Sequence, residues 1–155
     1  MKKIIPMQIT TIQQLDDWMT TNCYNEYTFG VGNRKLVEGN GIKKTNDGFI
    51  WYYTERGQEQ DLQYFETEQQ IVEFAFKKIN GCITALSHMV GFIKDTEDKF
   101  EENALLAELE KRNIKFSKDQ IPYKVSDTRI RVFVFGCDIN QCLDLKETYY
   151  PKAFR

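Results

Sequence analysis

GFIWYYTERGQEQDLQYFETEQQIVEFAFKKIN, residues 48–80, is the stretch on which the fold turns. Phe49, Trp51 and Tyr53 alternate with Ile50, Tyr52 and Thr54, so the two sets point to opposite sides of a strand. Aromatic and β-branched side chains suit such a pleated surface. Arg56, Gly57 and Gln58 supply a turn, with Gly57 free to take positive φ. Glu59–Phe65 returns as a second strand. A strict period of two places Leu62 and Tyr64 on one face and Glu59, Asp61, Gln63 and Phe65 on the other. A helix follows. Thr67 and Gln70 form a capping box, and Glu66 and Glu68 sit at the positive end of the helix dipole. Ile71, Phe74, Ala75 and Ile79 make the apolar stripe; Lys77 and Lys78 occupy the last turn, and Gly81 lies just beyond it.

Outward from this centre, Thr11 and Gln14 offer a second capping box before Ile12, Leu15, Trp18 and Met19. Residues 27–31 and 36–44 read as short strands broken by glycines, and Asn46-Asp47-Gly48 is a turn. Beyond Gly81, the spacing of Ile83, Leu86, Val90 and Ile93 predicts a helix. Thr96 or Asp98 starts another, running to Arg112 with Asn113 ending it. Residues 114–125 are strand-like, and Arg129–Phe135 alternates clearly. Asp138 starts a short helix through Leu145, and the tail is irregular. The expected fold class is α+β: an antiparallel sheet with a central aromatic hairpin packed against several helices.

A chain of 155 residues, 41% hydrophobic and 14% aromatic, buries a core and is expected to be one domain, residues 1–155. Met1–Pro6 begins like a signal-peptide n-region, but polar residues follow at once, so a cytoplasmic protein is expected. Cys23, Cys82, Cys137 and Cys142 form no CxxC pair and are expected as reduced thiols. A zinc site from Cys82, His88, Cys137 and Cys142 lacks the usual spacing, so no metal is expected.

The net charge of −2 hides a partition. Residues 1–44 and 77–155 each carry a net +2, whereas residues 45–76 hold seven carboxylates against Arg56 alone, a net −6. Such a segment repels phosphate and attracts basic surfaces. Nucleic-acid binding wants a basic face with interleaved aromatics, which only Arg129 and Arg131 beside Phe133 resemble. Catalytic signatures are sparse. The lone His88 has no nucleophile elbow beside it, and phosphate loops and HExxH are absent from the sequence. Glu55 with Glu59 or Asp61 is the one conceivable carboxylate pair. Not an enzyme, with no cofactor, is the expectation.

The run Trp51-Tyr52-Tyr53-Thr54-Glu55-Arg56-Gly57, with Leu62, Phe65, Thr67-Glu68 and the helix to Phe76, resembles immunity proteins of bacterial polymorphic-toxin systems, including contact-dependent growth inhibition. The resemblance covers residues 27–93. It implies a small cytoplasmic α+β protein that neutralises the C-terminal toxin domain of a neighbouring cell's effector by stoichiometric binding. A nuclease toxin, such as a tRNA-cleaving one, suits the acidic segment. The resemblance supplies no site residues. Charge and aromatic content select Trp51, Tyr53, Glu55, Glu59, Asp61 and Tyr64 as partner contacts, rings for anchoring and carboxylates for steering. The rival reading is a small-ligand or enzymatic domain with a pocket between the sheet and the helix over residues 67–80.

Overall fold

A computed structural model describes residues 8–155, and the Met1–Pro6 stretch lies outside them. The class is α+β, with two sheets instead of one. The chain divides into two compact units, Met1–Ala85 and Leu86–Arg155.

The first unit is built from α1 (Ile12–Thr21), β1 (Phe29–Gly30), β2 (Gly39–Lys44), β3 (Phe49–Glu55), β4 (Gln58–Phe65) and α2 (Glu68–Ile79). Both expected capping boxes form, at Thr11 with Gln14 and at Thr67 with Gln70. Glu68 adds a third device: its Oε1 accepts the Ile12 N–H at 2.9 Å, so the first residue of α2 satisfies an orphan donor of α1. The sheet runs β1-β2-β3-β4, with β1 parallel to β2 and the rest antiparallel. Residues 36–44 give one strand, because Gly39-Asn40-Gly41 pairs with Thr54, Tyr53 and Tyr52 and does not turn. The β3–β4 turn has both central residues at positive φ, Arg56 at 50° and Gly57 at 77°, the type I′ geometry that matches strand twist.

One feature of β4 departs from the sequence reading. The register shifts between Trp51 and Tyr52: Trp51 pairs with Gln63, but Tyr52 pairs with Asp61, which leaves Leu62 as the extra residue of a β-bulge. The bulge inverts the parity of β4. Tyr64, Asp61 and Glu59 stand opposite Ile50, Tyr52 and Thr54, and so share one face. Phe49, Trp51, Phe65 and Tyr53 share the other. That second face receives α2: Phe74 lies 5.4 Å from Trp51 and 5.1 Å from Phe65, ring to ring. Phe29 meets Trp51 from β1 at 6.2 Å. Trp18 stacks between Tyr24 and Phe76, at 5.0 and 4.8 Å, over fully buried Leu15, Met19, Ile71 and Ile79.

The second unit follows a one-turn helix, α3 (Ile83–Leu86), that straddles the division. It comprises β5 (Ser87–Lys94), α4 (Phe100–Lys111), β6 (Phe116–Lys124), β7 (Asp127–Phe135), a 3₁₀ turn (Gly136–Gln141) and α5 (Leu143–Tyr149). The sheet order is β5-β7-β6, all antiparallel. The helix expected from Ile83 to Ile93 is therefore one turn and then a strand. The strand carries its own bulge at Val90, between the Met89–Phe133 and Gly91–Val132 pairs. Gly91 is needed there for space, since a Cβ at that position would sit 2.6 Å from Leu105 Cδ2 on α4. Ile130, Val132 and Val134 of β7 line the buried face. Asn113 closes α4 at φ 56° as the sequence predicts, but the N-cap is Lys99, at φ 55°, and not Thr96 or Asp98; Asp98 lies one residue earlier and its Oδ1 accepts the Phe100 N–H at 3.1 Å.

Candidate functional site

The six residues selected from sequence do not form one surface. Trp51 is 4% exposed and belongs to the core beneath α2, so it is no partner anchor. The period-two reading had no means of telling which face of β3 the helix covers, and Trp51 lies on the covered one. Tyr53 and Glu55 share that face nearer its open end. Tyr53 is half-buried and its Oη donates to Glu55 Oε2 at 3.4 Å. Burial first, then the Glu55 carboxylate, holds the Tyr53 phenol above its ordinary value.

Glu59, Asp61 and Tyr64 stand on the opposite face. Lys43 reaches from β2 across β3 and places its Nζ 2.6 Å from Asp61 Oδ1 and 2.8 Å from Glu59 Oε2. The ammonium lies 5.7 Å from the centre of the Tyr52 ring on the way. Tyr52 itself lies over Gly30 and Gly41: a Cβ on either would meet its hydroxyl at 3.0 or 2.8 Å. Asp61 first and Glu59 second hold the Lys43 ammonium up to about 12. Glu59 and Asp61 thus share one ammonium, which ties both into the fold and leaves the trio a net −1, so neither is the wholly free charge that the sequence reading took it for. Glu55 is on the other side of the sheet from Glu59 and Asp61, so the conceivable carboxylate pair does not assemble.

Tyr64 keeps the position a contact residue needs. It is 51% exposed, and its hydroxyl donates to the Asp47 carbonyl at 2.7 Å, which fixes the ring over Gly48. Around it the acidic excess persists. Among the described residues, Asp47, Glu55, Glu66 and Glu73 have no ion-pair partner. Glu73 accepts only the neutral Gln69 amide at 3.0 Å. Two of these four, Glu66 and Glu73, border a groove of about 530 Å³ between the end of β4 and α2. Tyr64, Phe65 and Phe74 also line it, and Lys77 stands at its rim. Sequence reasoning counted Glu66 and Glu73 among the acids of residues 45–76 and gave Glu66 only a place at the positive end of the helix dipole.

The second unit offers less. Arg129 donates twice to Asp127, at 2.9 and 3.0 Å, and is boxed by Phe92, Tyr123 and Phe154 with ring centres 5.1–5.4 Å away. Arg131 donates through both Nε and Nη2 to Asp119, the Nε contact being 2.7 Å, and lies over Phe133. Each guanidinium already has a carboxylate, which removes the basic face that phosphate binding would use. Glu102 is buried and bonded by Lys118 at 2.7 Å. Cys82 and Cys142 are free thiols, and burial pushes the Cys142 thiol up. Cys23 and Cys137 are not free, so the expectation of four reduced cysteines holds for two. No cluster of three or more metal-binding side chains exists among the described residues, nor any helix long and apolar enough to cross a membrane.

The chain matches no family model, no curated protein and no solved structure.

Proposed function

We propose that this protein is a stoichiometric protein inhibitor, an immunity protein whose partner is a basic toxin domain. The toxin is a nuclease in this reading, and the site of action is the cytoplasm. The observation that carries it is the acidic excess of the first unit: Asp47, Glu55, Glu66 and Glu73 are among the carboxylates without an ion pair in the described residues, and the half-exposed Tyr64 is bonded to the Asp47 carbonyl. Unmatched negative charge around a fixed aromatic is suited to steering and anchoring a cationic protein. A nuclease cleft is cationic because it must hold phosphate, and carboxylates would mimic that phosphate. The candidate contacts are Glu66 and Glu73 beside the end of β4, with Tyr64 close to Glu66 in the chain; Tyr53 and Glu55 lie on the sheet face opposite the Tyr64 ring, Glu59 and Asp61 share the Lys43 ammonium, and the buried Trp51 drops out as a direct contact.

The test is co-expression. Cells producing the toxin domain encoded next to this gene should survive when this chain is present, and the two proteins should co-purify one to one. Survival that fails although both proteins are made and folded would end the immunity reading. The rival small-ligand reading has a specific observation in its favour, the groove lined by Phe65 and Phe74 between sheet and helix. It predicts that a metabolite, and not a protein, saturates that groove.

A further inference from the structure

We propose that the second unit carries a receptor for an aromatic–arginine pair in a peptide, and that the chain's own Phe154-Arg155 fills it in cis as a strap. The site is built wholly from that unit and owes nothing to the acidic residues of the first. Its ring half is a box to which each strand gives one side chain: Phe92 from β5, Tyr123 from β6 and Arg129 from β7. Phe92 and Tyr123 meet edge to face at 5.1 Å. The Arg129 guanidinium, fixed by its two bonds to Asp127, lies 5.4 and 5.1 Å from their ring centres. Phe154 completes the box, 5.6 Å from Phe92, 6.1 Å from Tyr123 and 5.1 Å from the guanidinium. A ring face attracts a cation and a ring edge attracts a ring face, so the box favours an aromatic guest over an aliphatic one.

The cationic half is the C-terminal end of α5. Arg155 Nε donates to the Tyr150 carbonyl at 2.8 Å, and Nη2 donates to Glu147 Oε1 at 3.2 Å. The guanidinium also lies 5.5 Å from the centre of the Tyr150 ring. A helix C-terminus bears partial negative charge, which suits such a group. The occupant is lightly held. Among the described residues, no hydrogen bond joins residues 151–155 to a strand; their backbone bonds are local, from the Phe154 N–H to the Pro151 carbonyl and from the Arg155 N–H to the Lys152 carbonyl. Phe154 stays 37% exposed. Ring contacts and one guanidinium are therefore what an incoming peptide must replace, and a peptide of the same chemistry replaces both. The strap competes as a tethered ligand, at an effective concentration of about millimolar.

The experiment is an NMR titration of the full chain with acetyl-Tyr-Pro-Lys-Ala-Phe-Arg amide, the sequence of residues 150–155. In Phe154→Ala/Arg155→Ala, which blunts the strap, the Phe92 and Tyr123 ring resonances and the Arg129 Nε–H should shift saturably, with a Kd in about the millimolar range. The parent chain should need about tenfold more peptide for the same shift, because its strap competes. Peptides with leucine in place of phenylalanine, or glutamine in place of arginine, should each bind the double variant about threefold to tenfold more weakly. A folded double variant without a saturable shift overturns the receptor. Equal binding of the leucine peptide also overturns it, since the box would then be ordinary apolar packing. Equal affinity in parent and double variant overturns the strap. If circular dichroism shows the double variant unfolded, Arg155→Gln alone takes its place: it should bind the peptide more tightly than the parent, and an unchanged affinity overturns the proposal.

Discussion

The Lys43 ammonium lies between two carboxylates of β4, 2.6 Å from Asp61 and 2.8 Å from Glu59, after crossing the Tyr52 ring. The arrangement exists because a bulge at Leu62 turns Asp61 and Glu59 to the same face as Tyr64. Both carboxylates raise the ammonium's affinity for its proton, to about 12 against an ordinary 10.5. A group raised on folding contributes stability that is complete below the ordinary value. That contribution therefore disappears as pH rises from 10.5 through about 12. Following the Lys43 Cε resonance with pH should give a midpoint near 12 in the parent chain. In Asp61→Asn the midpoint should fall back toward 10.5. An ordinary midpoint in the parent chain would mean that the bridge does not form.

Trp51 and Tyr64 were selected from sequence for the same role, and the fold gives them opposite ones. Trp51 is 4% exposed and meets Phe29 and Phe74, whereas Tyr64 is 51% exposed. Trp51→Ala should lower unfolding free energy by about 3–5 kcal/mol, the usual loss for a large buried aromatic. Tyr64→Ala should lower it by no more than about 1 kcal/mol, since it removes one peripheral hydrogen bond and little buried surface. Urea denaturation followed by circular dichroism measures both. A Tyr64→Ala loss as large as that of Trp51→Ala would remove Tyr64 from the list of surface anchors.

The contrast shows what the sequence could and could not convey. The aromatic hairpin and α2 were legible because each carries several agreeing local signals: alternation, an Arg-Gly turn, a capping box and a helical stripe. β7 was legible by its alternation, and α4 by its run to Asn113, whereas β6 gave only a weak strand signal broken by Pro122. The two bulges were not. Leu62 in β4 and Val90 in β5 each insert one residue, and each spoils a period-two reading from that point on. In β4 the error scrambled the faces of the candidate contacts. In β5 it let Ile83, Leu86, Val90 and Ile93 pass for a helical stripe, although all but the first two lie in a strand. The ion pairs were also out of reach: Lys43 is 16 residues from Glu59, and only the register of three strands brings them together.

Gly91 and Leu105 make the second bulge testable. A Cβ on residue 91 would approach Leu105 Cδ2 to 2.6 Å, so the fully buried Leu105 side chain would have to shift within the core. Gly91→Ala should therefore cost about 1–3 kcal/mol by overpacking, despite the better strand propensity of alanine. Leu105→Ala alone should cost about 2–5 kcal/mol by leaving a cavity. The double variant should cost less than the sum of the two, because the shortened side chain makes room for the new methyl. Strict additivity in a double-mutant cycle would show that α4 does not pack on β5 at this point.

Arg112 ties α4 to α5 through a paired contact with Asp144, Nη1 to Oδ1 at 2.8 Å and Nη2 to Oδ2 at 2.7 Å. The same guanidinium also donates to Glu108 at 3.0 Å and to the Gln141 carbonyl at 2.8 Å. The bidentate bond to Arg112 is the main reason the Asp144 carboxyl drops from an ordinary 3.8 to about 2. A carboxylate lowered on folding contributes stability above its ordinary value, and the contribution fades as pH falls from 3.8 through about 2. The Asp144 Cγ resonance should accordingly stay that of the ionised form down to about pH 2. In Arg112→Gln it should titrate near 3.8. In Asp144→Asn the chain should be less stable at pH 6 than the parent, and the difference should shrink as the pH is lowered through that window. A gap that stays constant with pH would assign the effect of the substitution to lost packing and would remove the charge pair as the clasp between these two helices.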